Sequence, residues 1–156
     1  MSKSLRRVAD ALAAAGVSSD ILEMTAETRT AHQAAEAAGC ALDQIVKSIV
    51  FGATGDRLFL FLTAGGNRVD TARASALAGA PLGRADPDLV RAATGFAIGG
   101  VAPLGHLTPL PVWMDPRLVE FDTVWAAAGT PRHIFAIAPD VLVRATGATV
   151  APFTQT

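Results

Sequence analysis

The twenty residues IVKSIVFGATGDRLFLFLTA, positions 45–64, constrain this chain more than any other stretch. Two apolar runs rich in β-branched and aromatic residues flank Ala53-Thr54-Gly55-Asp56, a composition that turns a chain back on itself. The pattern predicts a β-hairpin with a somewhat long turn. On its first strand Ile45, Lys47, Ile49 and Phe51 share one face, and Val46, Ser48 and Val50 share the other. Both faces are mostly apolar, so both must be covered. The rest of the chain has to supply the cover.

Helical segments supply it. Leu5, Val8, Ala9 and Leu12 fall on one helical face, with Ser4 as the cap and Gly16 as the stop. Thr30 and Gln33 make a capping-box pair ahead of Ala31, Ala34, Ala35 and Ala38, and Gly39 follows as the C-terminal stop. Asp70 caps a helix through Ala78 that stops at Gly79. Asp86-Pro87 starts another, with proline at the first helical position and Gly95 past its end. A last short helix is expected over 139–145. DILEM (20–24), PVWMD (111–115), TVWAAAG (123–129) and RHIFAIA (132–138) read as further strands. Strands and helices are interspersed without a regular βαβ rhythm. The expected class is α/β in the broad sense, α+β in the strict one, with a mixed or mainly antiparallel sheet and helices outside.

With 156 residues the chain is expected to form one domain over 1–156, and 51% hydrophobic against 17% charged residues argues against disorder. No apolar run approaches the ~20 residues of a membrane span. The start, MSKSLRRVADALAAAG, has a basic end and an alanine-rich continuation. Asp10 interrupts the would-be apolar region, so it reads as an amphipathic helix and not as a signal peptide. Cys40 is the only cysteine, which excludes an internal disulfide and a cysteine zinc cage. A cytoplasmic protein is expected. A net charge of −1 gives no global attraction to nucleic acid, so any RNA must be held by a local patch. Lys3 and Lys47 are the only lysines, which singles out Lys47 inside its strand.

FAIGGVAPLG (96–105) gathers three glycines and a proline. It lacks the G-x-G-x-x-G order of a dinucleotide-binding turn and the G-K-[ST] of a P-loop. It reads equally as a tight turn from helix to strand or as a loop whose bare N–H groups face a ligand carbonyl or phosphate. Lys47 either snorkels from its strand or points into a polar pocket. His32 and His106 read as surface residues. His133, at the start of a strand, lines a cleft or is a satisfied structural histidine. Cys40 reads as a small buried hydrophobe. No catalytic triad, metal site or cofactor site emerges.

AAEAAGCALDQIVKSIVF, GGNRVD, ADPDLVRAATGFAIGGVAPLG, PVWMD and AGTPRHIFAIAP, in this order, resemble the YbaK/ProX family. These are free-standing relatives of the editing domain inserted in bacterial prolyl-tRNA synthetases. The resemblance runs from about residue 31 to residue 139. It implies a curved mixed sheet and hydrolysis, in trans, of wrongly charged tRNA. The substrate implied is tRNA(Pro) carrying a small wrong amino acid such as alanine or cysteine, with serine and threonine left open. Such an enzyme is needed because a pocket sized for proline rejects a residue one methylene smaller by only ~1–3 kcal/mol. The family's lysine step matches Lys47-Ser48, and its G-x-x-x-P loop matches Gly99 to Pro103, with Gly100 doubling the glycine.

By this resemblance Lys47, Gly99 and Gly100 are the catalytic candidates, while Met24, Ser48, Pro103, Thr130 and His133 are candidates for substrate binding. Met24 and AGTPRHIF do not clearly reproduce the pattern of the branch that clears cysteine. The implied partners are the acceptor end of aminoacyl-tRNA and prolyl-tRNA synthetase, with no membrane, DNA, metal or cofactor. Arg6, Arg7, Arg68 and Arg73 are candidates for a few phosphate contacts. The rival reading is a tRNA- or synthetase-binding module of the same fold without hydrolysis. Retention of both Lys47 and the glycine-proline loop disfavours it.

Overall fold

Ser2, not Ser4, caps the first helix in the computed structural model, which describes residues 2–156. Its hydroxyl accepts from the Leu5 N–H at 3.1 Å, and α1 (Lys3–Ala14) then buries Leu5, Val8 and Leu12. The short strand β1 (Ile21–Glu23) and α2 (Ala31–Ala38) follow. The Thr30–Gln33 capping box is formed in both directions, and Gly39 closes α2 with φ of 69°. Next come the hairpin strands β2 (Ile45–Ala53) and β3 (Arg57–Ala64), in register from Val46 opposite Ala64 to Ala53 opposite Arg57. Their turn is one distorted 3-10 turn with Gly55 at φ of 75°.

Asp70 caps α3 (Thr71–Ala78), and Asp86 caps α4 (Pro87–Thr94). Between them lies β4 (Gly83–Arg84). Beyond the glycine-rich loop come β5 (Val112–Met114), α5 (Pro116–Val119), β6 (Val124–Ala127), β7 (His133–Ile137), α6 (Pro139–Thr146) and β8 (Thr149–Val150). β4, α5 and β8 have no counterpart in the sequence reading. β4 and β8 are too short to show a period, and only pairing with distant strands defines them. α5 carries a local start, Asp115 as cap ahead of Pro116, but at four residues shows no period of its own.

The sheet runs β1-β7-β6-β2-β3-β5-β8 and is mixed: β2/β6, β3/β5 and β5/β8 pair in parallel, the rest antiparallel. Its main core lies on the face carrying Val46, Val50, Leu60, Leu62 and Phe135, under α1 and α4–α6. The opposite face is covered twice. Phe51, Phe59, Phe61 and Trp113 pack with Phe153 beneath α3, and Ile45 and Trp125 pack against Ala34 and Ala35 of α2. Phe61 stacks on Trp113 at 5.1 Å and meets Phe153 edge-on at 4.9 Å. Full burial of one such ring contributes ~2–3 kcal/mol.

The sheet is irregular at β2, whose two edges are unequally paired. β3 occupies one edge along its whole length. β6 and β4 share the other edge: β6 reaches only Ile45 and Val46, and β4 only Phe51 and Gly52. The backbone of residues 47–50 is left without a strand neighbour on that edge.

Candidate functional site

A cavity of about 320 Å³ opens at that gap. Lys47, Ser48 and Ile49 line it from β2, Trp125, Ala126 and Ala127 from β6, and Ile134 from β7. Ala31 and Ala34 of α2 form another wall, Thr28, Arg29 and Thr30 the approach to α2, and Gly99 and Val101 of the glycine-rich loop the remaining side. Lys47 and Gly99, separated by more than fifty residues of chain, thus face one space.

Lys47 lies on the sheet face between the two smaller clusters, between Ile45 and Ile49 along β2 and opposite Thr63 of β3. Its Nζ donates to the main-chain carbonyl of Asn67, in the Gly65-Gly66-Asn67 bend after β3. That bend is anchored by two carboxylates. Asp115 is buried at 2% exposure and accepts from the Ala64 N–H at 3.1 Å, Asn67 Nδ2 at 2.9 Å and the Arg117 N–H at 2.9 Å. Asp43 accepts from the Gly66 N–H at 2.9 Å and from Arg117 Nε at 2.9 Å. Gly65 is required here, because a Cβ on it would lie 2.1 Å from the Leu42 carbonyl oxygen, and a Cβ on Gly66 would push on Asp43 Oδ1, 2.4 Å away, and so on the bond it accepts from the Gly66 N–H. Burial, and then the Arg68 charge, push the Lys47 ammonium below the ordinary lysine value, against the opposing pull of Asp115 and Asp43. The result is a fixed, half-buried cation with further N–H donors to offer a ligand.

The loop wall is built differently. Residues 97–100 form a tight turn in which the Gly100 N–H donates to the Ala97 carbonyl at 2.9 Å and Gly99 sits at φ of 85°. Gly100's amide is therefore engaged within the turn. Gly99, whose α-carbon has open space beside it for 4 Å, is the glycine at the cavity. Pro103 is buried beyond the turn. It shapes the loop without lining the cavity.

A scan of family models matches the aminoacyl-tRNA editing domain over residues 25–145. The chain belongs to the aminoacyl-tRNA editing domain family. Among curated relatives, the uncharacterized protein YwhH of Bacillus subtilis (strain 168) is 32% identical over 123 residues, covering 79% of this chain and 78% of YwhH. The crystal structure of a proposed trans-editing enzyme for prolyl tRNA synthetase is similar over 100% of this chain and 99% of its own, at 47% identity and a TM-score of 0.93. That of the hypothetical protein APE2540 covers 96% and 99% respectively, at 28% identity and a TM-score of 0.87. The fold expected of a YbaK/ProX-like chain, one α+β domain with a mixed sheet between helices, is the fold of these two crystal structures.

Within this editing domain the candidates lining a hollow separate into three places. Lys47, Ser48 and Gly99 meet at the cavity. Met24, Thr130 and His133 do not line it. His133 and Thr130 line a separate hollow with Leu5, and Met24 another with Glu23 and Glu36. His133 alternates with Ile134 along β7, and only Ile134 faces the cavity. The His133 Nδ1 shares a hydrogen bond of 2.6 Å with the Thr130 hydroxyl, a satisfied structural contact. His106 is also not the surface residue expected: it is half-buried, and its Nε2–H donates to the Ala102 carbonyl at 2.7 Å. Arg7 likewise turns inward, donating from Nη1 to the Gly95 carbonyl at 3.0 Å. His32 is exposed as expected.

Asn67, Asp115 and Asp43, which hold Lys47, were not among the candidates. Asn67 and Asp115 stand inside GGNRVD and PVWMD, and Asp43 four residues before Lys47. Each also reads as a turn or cap residue, so only the fold joins them. Among the described residues no group of three or more His, Cys, Asp or Glu is placed to hold a metal ion, and no helix is long and apolar enough to cross a membrane.

Proposed function

We propose that the protein is a trans-acting deacylase that hydrolyses the ester of mischarged tRNA(Pro) carrying a small wrong amino acid such as alanine or cysteine. The observation that carries this reading is the meeting of Lys47 and Gly99 at a single cavity beside the unpaired stretch of β2. An aminoacyl ester is already activated, so it needs a held water and a stabilised oxyanion, not a strong protein nucleophile. Water attacks the carbonyl carbon, negative charge gathers on the carbonyl oxygen, and the Gly99 N–H donates to it. The C–O bond to the ribose then breaks, the ribose oxygen takes the proton the attacking water gives up, and the amino acid leaves as its acid. Lys47, with one donor on Asn67, holds the terminal adenosine or its phosphate through the others.

The walls fit a small side chain. Ala31, Ala34, Ala126 and Ala127 leave room for the ester, while Ile49 and Ile134 limit its depth. Prolyl-tRNA synthetase, which makes the mischarged species, is the partner expected in the cytoplasm. The test is a panel of tRNA(Pro) charged with alanine, cysteine, serine, threonine or proline. Release of alanine or cysteine with proline retained is the expected outcome. Binding of these tRNAs with no release of any amino acid would make the protein a binding module.

A further inference from the structure

We propose that α1 is a working part of the site, and that Arg7 is a positioning residue which sets the glycine loop. The editing-domain match begins at residue 25, so α1 lies outside it. Yet the loop of residues 95–106 is built onto this helix at both ends. At the near end, Arg7 Nη1 donates to the Gly95 carbonyl at 3.0 Å, and its guanidinium carbon lies 5.7 Å from the Phe96 ring centre. Phe96 is 1% exposed, and a Cβ on Gly129 would meet it at 2.8 Å and the Ser4 carbonyl of α1 at 3.0 Å. At the far end, Gly105 (φ of 81°) packs so closely on α1 that a Cβ there would lie 3.1 Å from the Arg7 carbonyl oxygen. Between the ends, His106 meets Phe96 edge-on at 5.9 Å and holds the Ala102 carbonyl at 2.7 Å.

The loop tip, residues 97–100, has only its own turn to hold it. Its position relative to Lys47 is therefore inherited from the anchors, and Arg7 is the one side chain of α1 that hydrogen-bonds the loop backbone. An active-site group displaced by about 1 Å loses rate on the order of 100-fold. A small shift at Gly95 is thus enough to matter at Gly99. Arginine suits this role because its planar fork both donates to a carbonyl and lies over an aromatic face.

This inference rests on the proposed deacylation for its kinetic arm, and a second arm stands without it. The variant Arg7→Met keeps the apolar stem and removes the donor. With alanyl-tRNA(Pro) as probe, single-turnover deacylation by folded Arg7→Met protein, well below its melting temperature, should slow roughly 10–100-fold. The protein concentration giving half-maximal rate should change little. Arg7→Lys should restore part of the rate, and Asp10→Ala, an exposed change on the same helix, should leave it intact. In 15N NMR of the free protein, Arg7→Met should move the Gly99 and Gly100 amide resonances and leave those of β3 in place. Wild-type rate in folded Arg7→Met, or unmoved Gly99 and Gly100 resonances, would overturn the inference. If the wild type releases no amino acid, the proposed function fails and the resonances alone decide. If Arg7→Met does not fold, Arg7→Lys is read by the same two measurements.

Discussion

Lys47 stands on a nine-residue strand and is held through Asn67 by carboxylates from two other segments, whereas Gly99 stands at the tip of a turn with one internal hydrogen bond. The cation's wall is thus part of the core's polar framework, and its geometry is as stable as the fold. The loop's wall is a short piece of backbone held at its two ends. Disturbing the first should register in stability as well as function. Disturbing the second should register mainly in rate.

Gly99→Ala should test the loop wall most severely. A left-handed φ of 85° costs an alanine about 1 kcal/mol, while the added methyl projects into open space at the cavity. The amide N–H remains, but the methyl stands where the ester must approach it. A donor kept from the oxyanion is worth ~100–1,000-fold in rate, so deacylation should collapse with only a small fall in melting temperature. An early-melting variant that turns over normally when folded would reduce Gly99 to a structural turn.

Asp115→Ala, on the cation's wall, should cost stability as well as rate. Three donors lose a buried acceptor, at a cost of roughly 3 kcal/mol that urea unfolding would measure. Full stability in this variant would mean that the Asn67 bend holds itself.

Lys47→Ala should lose deacylation on the order of 10–100-fold, the worth of a charge-assisted hydrogen bond. Lys47→Arg should recover little of it, since a planar fork does not replace a compact ammonium. Near-normal turnover by folded Lys47→Ala would remove this residue from the site.

The smallest effect concerns pH. Burial holds His106 below the ordinary histidine value of 6.5, so the unfolded chain binds more protons there than the folded one. Its contribution to stability is complete above pH 6.5 and lost as pH falls through the lower folded value. Between pH 7 and pH 5 the wild type should lose slightly more melting temperature than His106→Gln. Equal losses would mean that the ring is open to water.

The caps, the stops and the long hairpin were legible in the sequence because each is a local pattern: Thr30 with Gln33, Asp70, Asp86-Pro87, and alternation along 45–51. Local chemistry also singled out Lys47, as a cation where periodicity asks for an apolar residue. The sequence could not show which partners share an edge of β2, since β4 and β6 arrive from distant segments. It likewise could not show which face of β7 meets the cavity. His133 and Ile134 are neighbours in the chain, and one residue of register sends them to opposite sides of the sheet. The inward turn of Arg7 was equally hidden, because an arginine beside an exposed arginine on a helix looks like solvent-facing charge until Phe96 is beneath it.

The gap on β2 also bears on how the sheet meets foreign strands. Bare main-chain donors and acceptors at a sheet border invite a foreign strand to add itself, the first step toward aggregation. Here the bare stretch is only four residues, 47–50, closed at one end by Ile45 and Val46 on β6 and at the other by Phe51 and Gly52 on β4. A strand of usual length, ~5–6 residues, does not fit between those two stops. Under the proposed function, the same gap admits a small guest while denying the sheet border to an extended polypeptide.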